Sequence, residues 1–150
     1  MKIEKVIKQP GFLDDYQKVI VNLIYTGNWL RDEQISLLKP YGILPQHFNV
    51  LRILKGSHPR PVSPGSIKEV MIDKASDLTR LLDKLEQKKW VNRKLCRTNR
   101  RKMDVTISKE GMAVLERMNA DLHHFTNKIE DRLSVKEAAG LSRLLDKLRG

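Results

Sequence analysis

Between Leu78 and Ile107 the apolar residues change spacing once, and that change leaves few folds open. Leu78, Leu81, Leu82 and Leu85 share one face of a helix that the spacing predicts over Lys74 to Lys88. The period then drops from about 3.6 to 2: Val91, Arg93 and Leu95 alternate with Asn92 and Lys94, and Met103, Val105 and Ile107 alternate with Asp104 and Thr106. Two short strands joined by the polar loop Cys96 to Lys102 therefore make a hairpin. Upstream, Pro64 opens a short helix near Ser66 to Met71, and a turn at Ile72 and Asp73 leads into the leucine helix. A short helix, a tight turn, a second amphipathic helix and a basic hairpin make a winged helix-turn-helix, expected over residues 45–107.

The flanking segments are helical. Phe12, Leu13, Tyr16, Val19, Ile20, Leu23, Ile24, Gly27 and Leu30 recur at helical spacing, and Pro40 and Gly42 end that long helix. Pro45 suits the first turn of the next, which carries Phe48, Leu51 and Leu54 until Gly56 and Pro59 break it; GSHPRPVSPGS is a loop. After the hairpin, Ser108 caps a helix that carries Met112, Leu115, Met118 and Leu122 towards Arg132. Ser134 and Glu137 form a capping box for a last helix with Leu141, Leu144, Leu145 and Leu148 on one side. The stripes within residues 1–40 and 109–150 lie outside the compact lobe and need a partner surface, so they are expected to be dimerisation helices. The expected fold is mainly α with a small β-hairpin wing: one domain over 1–150, a winged helix-turn-helix lobe plus dimerisation helices from both termini.

Charge gives this lobe a direction. The chain has 29 Lys or Arg against 18 Asp or Glu, a formal net charge of +11, which favours a polyanionic partner. Aromatics make up only 5% of the residues, too few for a single-strand stacking platform, so double-stranded DNA is the expected partner. Eight basic residues and no acid fall between Lys88 and Lys102 (Lys88, Lys89, Arg93, Lys94, Arg97, Arg100, Arg101, Lys102), in the part that would lie on phosphates. On the leucine helix, Ser76, Arg80, Asp83 and Gln87 lie opposite the leucines, flanked by Asp77, Thr79 and Lys84. Arg80 suits a bidentate contact to guanine, Ser76 and Thr79 suit base edges or phosphates, and Lys84 suits a phosphate. Arg97, Arg100 and Arg101 complete the DNA-binding set, the last two at a hairpin tip that would meet a narrow minor groove. The plainer alternatives are that Arg80 pairs with Asp77 or Asp83 in a surface network and that the basic window is a solvated surface.

Several classes are excluded. The single Cys96 cannot form an internal disulfide, and there is no CxxC knuckle. MKIEKVIKQPGFLDD lacks a secretory apolar region, and no run approaches the roughly 18 apolar residues of a membrane span, so a soluble, cytoplasmic chain is expected. No G-x-S-x-G, P-loop, HExxH or glycine-rich nucleotide fingerprint occurs; neither an enzyme nor a cofactor is expected.

The segments LPQHFNVLRIL, IKEVMIDKASDLTRLLDKLEQKKWVNR and NRRKMDVTISKEGMAVLE resemble the MarR family of bacterial regulators, in the same order and with matching gaps, over almost the whole chain. That resemblance implies a homodimer with interlocked first and last helices, whose two lobes bind a pseudo-palindromic operator with half-sites about 10 bp apart. It also implies a transcriptional repressor relieved by a small-molecule effector in a cleft between the dimer helices and the lobe, where Tyr16, Tyr25, Trp29, His47 and Phe48 are the candidate lining; the plainer reading of each is a core or interface residue. His47, His123 and His124 lack the His-x-x-x-His spacing by which some relatives hold a metal, so none is expected, and Cys96 reads as a passive thiol. Three positions depart from the family pattern: Asn99 replaces the aspartate that braces the wing arginines, Lys89 stands where glycine often follows the recognition helix, and Leu44 forfeits a cap worth about 1 kcal/mol. The alternative function is a non-catalytic basic interaction module that binds acidic partners without sequence readout.

Overall fold

A computed structural model describes residues 1–150. A four-residue helix, α1 (Ile3–Val6), which the hydrophobic spacing does not announce, precedes the long α2 (Asp15–Leu38). Phe12 and Leu13 fall outside α2, because the Asp14 carboxylate accepts the Gln17 N–H at 2.7 Å and starts the helix there. Pro40 sits in a 3-10 turn, Lys39–Tyr41, which Gly42 closes at φ 68°, a conformation that costs glycine little. Then follow α3 (Pro45–Ser57), α4 (Pro64–Val70), α5 (Leu78–Gln87), the strands β1 (Val91–Leu95) and β2 (Met103–Ile107), α6 (Lys109–Glu130) and α7 (Val135–Arg149).

The leucine helix is shorter than its apolar pattern. Lys74 and Ala75 form a turn and Asp77 is extended, because the Asp73 carboxylate accepts the Ala75 N–H and the Asp77 carboxylate accepts the Arg80 N–H. Short acidic side chains satisfy backbone donors outside a helix, so α5 begins only at Leu78. Its far end is a Schellman motif: Trp90 N–H bonds to Leu85 C=O and Lys89 N–H to Glu86 C=O. Lys89 takes the left-handed position at φ 61°, where the family pattern favours glycine.

Leu78, Leu81, Leu82 and Leu85 are buried against α3, α4 and the hairpin, among Leu51, Leu54, Ile67 and Val91. Each such leucine contributes about 1.5–3 kcal/mol, so α5 is anchored by one face and its opposite face stays outside. The antiparallel hairpin pairs Val91 with Ile107 and Leu95 with Met103, as the alternating pattern requires. A bridge from Val62 to Val105, with N–H···O distances of 2.9 and 3.0 Å in the two directions, adds a third edge that spacing did not foretell. α6 starts on the Ser108 cap so close to the hairpin that a Cβ at Gly111 would lie 2.1 Å from the Trp90 carbonyl oxygen.

The terminal helices are packed differently. Leu13, Tyr16, Ile20 and Ile24 near the start of the chain, and Leu141, Leu144 and Leu148 on α7, are exposed. No helix is long and apolar enough to cross a membrane.

Candidate nucleic-acid interface

The outer face of α5 and the hairpin loop form one cationic surface. Thr79, Arg80 and Lys84 project from α5 into solvent, and the Arg80 side chain is 88% exposed. Its Nε lies 3.5 Å from Asp77 Oδ2, an exposed pair of small energetic weight that leaves the guanidinium fork free to engage a ligand. Asp77 serves first as the helix cap.

Ser76 is placed differently from its expected position. It precedes α5 rather than lying on it, its hydroxyl is buried, and its carbonyl accepts from the Lys68 ammonium. The side chain therefore does not face outward. The error follows from extending the helical spacing back through residues that two aspartates turn.

At the loop, Arg97, Arg100 and Arg101 are exposed and join no ion pair. Asn99 does not brace a guanidinium; its Oδ1 accepts the Arg101 backbone N–H at 3.1 Å, which shapes the turn and leaves the arginine heads free. Cys96 hydrogen-bonds Thr98 Oγ1 at 3.3 Å, and that contact with nearby backbone N–H groups holds the thiol below its ordinary pKa.

Arg93 breaks the pattern of the basic window. Its Nη2 lies 2.6 Å from Asp83 Oδ1, and its Nε and Nη2 lie 3.1 and 3.2 Å from the two Glu86 oxygens. Counting along the chain missed this, since both carboxylates come from the preceding helix. The signal available was two acids three residues apart on the outer face of α5.

The aromatics expected in a ligand cleft are not gathered. A cleft of about 780 Å³ does lie between α2 and α3, but only Phe48 of the five lines it, alongside Leu30, Arg31, Leu44, Arg52 and Ile72. Tyr16 and Tyr25 are exposed elsewhere on α2. Trp29 packs on Phe125, with ring centroids 5.7 Å apart, under the Arg132 guanidinium. His47 is buried and performs the capping that Leu44 cannot: its Nδ1 accepts the Leu44 N–H at 3.1 Å. Burial, aided by the Lys84 charge, lowers the His47 pKa. Arg31 and Arg52, which the sequence reading did not single out, give the cleft its cationic side.

Comparison with known proteins agrees with this architecture. No protein-family model matches the chain. The multiple antibiotic resistance protein MarR of Salmonella typhimurium is 30% identical over 131 residues, which cover 84% of this chain and 88% of that protein. The chain belongs to the MarR family. The HTH-type transcriptional regulator PecS of Dickeya dadantii is 28% identical over 138 residues, covering 91% of this chain and 83% of PecS. Among solved structures, a mutant MarR from E. coli complexed with operator DNA superposes with a TM-score of 0.75 at 26% identity, covering 92% of this chain and 99% of that one. MarR-family proteins are transcriptional regulators, and this one carries their helical lobe and hairpin.

Proposed function

We propose that the chain is a non-catalytic, sequence-specific regulator that binds double-stranded DNA as a homodimer and represses transcription from a pseudo-palindromic operator. The observation that carries this is α5: four leucines fix its inner face, while Thr79, Arg80 and Lys84 stand exposed on the outer one, followed by a loop with three unpaired arginines. Arg80 reads a base edge, Thr79 and Lys84 contact the backbone, and Arg100 and Arg101 enter the adjacent minor groove with Arg97 beside them. Relatives in the family, including one solved on operator DNA, support the assignment.

The dimer is supported by surface area. The accessible surface is 11303 Å², about 40% above the roughly 7,900 Å² typical of a compact folded chain of this mass. Exposed leucines on α7 and apolar residues on the first half of α2 form apolar rows that suit a second copy. The α2–α3 cleft, with Arg31 and Arg52 above an apolar wall, suits a small anionic effector that relieves repression. Gln46 and Asn49 in that cleft bond Asp73 and Ile72, which lead into α5, so an occupant there would act on the reading helix.

Competition between a duplex selected from genomic fragments and random duplex tests the function. A preference of roughly 10³-fold or more is expected, reduced at one base step by Arg80→Ala at a cost of about 1–3 kcal/mol. Replacing Arg100 and Arg101 by Ala should weaken all duplexes and flatten the salt dependence. Equal affinity for both duplexes would instead indicate a basic module without sequence readout.

A further inference from the structure

The geometry points to Arg93 as a positioning residue that locks the wing to the reading helix and screens two carboxylates from the DNA backbone. This rests on the DNA-binding function proposed above.

Arg93 lies at the middle of the hairpin ladder, opposite Val105, on the strand face that packs against α5. Its guanidinium grips Glu86 through two parallel N–H donors and Asp83 through a third contact, and its side chain is only 21% exposed. Planar bidentate pairs of this kind fix angle as well as distance, which a lysine cannot do. The spacing between the outer face of α5 and the loop arginines thus depends on a link outside the apolar core. Two grooves can be engaged at once only if that spacing is held.

The same contact alters the field. Asp83 and Glu86 sit on the outer side of α5, next to Lys84 and Gln87, where bare carboxylates would repel phosphates. Arg93 pairs with both, offsetting one of their two negative charges, and lowers the Glu86 pKa, keeping it ionised and paired. Arg93 is therefore a cation of the basic window that takes no phosphate itself.

The test titrates wild type, Arg93→Gln, and Arg93→Glu combined with Glu86→Arg against a selected duplex and random duplex over a range of salt, with thermal unfolding of each protein recorded alongside. Arg93→Gln is expected to weaken the selected duplex by roughly tenfold or more and to shrink the selected-to-random ratio, because the two contact sets lose alignment. Its loss on the selected duplex should exceed its loss on random duplex at every salt concentration, and the charge-swapped chain should recover most of the ratio. A slope lowered by about 0.9 with equal losses on both duplexes would make Arg93 a phosphate ligand and overturn the proposal, as would unchanged affinity. If Arg93→Gln does not fold, the swapped chain decides: a wild-type ratio supports the link and a lost ratio refutes it. A wild type without preference for any duplex would instead overturn the proposed function itself.

Discussion

Lys89 occupies a left-handed backbone position that costs a side-chain-bearing residue about 1–2 kcal/mol. The position is enforced from both sides: the Schellman bonds fix the end of α5, and the Lys89 carbonyl accepts the Ser108 hydroxyl at 2.6 Å. Lys89→Gly should therefore stabilise the lobe by about 0.5–1 kcal/mol, the relieved strain less the extra freedom glycine has when unfolded. Urea unfolding measures it; a destabilised Lys89→Gly would contradict the strain. His47 gives a pH signature. Its pKa is lowered on folding, first by burial and then by the Lys84 charge, so the unfolded chain binds its proton more readily. The stability tied to neutral His47 is complete above the unfolded value of about 6.5 and is lost as pH falls from there towards the lower folded value. His47→Gln, which keeps an acceptor for the Leu44 N–H, should remove that component of the pH dependence, whereas parallel profiles for the two proteins would count against it.

Among the elements, the junction of hairpin and α6 allows the least change. A Cβ at Gly111 would meet the Trp90 carbonyl oxygen at 2.1 Å and Ile107 Cγ1 at 2.8 Å, and backbone and core cannot both yield. Gly111→Ala should cost at least about 2–3 kcal/mol, seen as a large fall in melting temperature; a neutral result would mean that α6 lies farther from the hairpin. This junction also shows what spacing reveals. The hairpin register was legible because a one-residue slip would expose Val91 and Val105, and the Ser108 and Ser134 caps were legible because their partners lie three residues away. The start of α5 was not, since Lys74 and Ala75 fit a helix and only the acceptor behaviour of Asp73 and Asp77 turns the chain. The Arg93 link and the His47 cap were missed for a related reason: charge counting and aromatic counting name residue types but not the partner across the fold. Of the five residues considered for a cleft, the single chain brings only Phe48 to the α2–α3 cleft, while Trp29 packs on Phe125, His47 caps α3, and Tyr16 and Tyr25 are exposed.

At the scale of the whole molecule, the core joins the lobe to Leu38 of α2 and to Val114, Leu115 and Met118 of α6, while rows of exposed apolar residues run along α2 and α7. A two-fold pair built on those rows would carry two α5 helices and two loops, and the duplex would be met twice. Hydroxyl-radical footprinting on a selected operator tests this most directly. The expected result is two protected half-sites centred about 10 bp apart on one face of the duplex, with protection of the flanking minor grooves lost when Arg100 and Arg101 are replaced by Ala. A single protected half-site, or uniform protection that does not depend on those arginines, would contradict the proposed mode of binding.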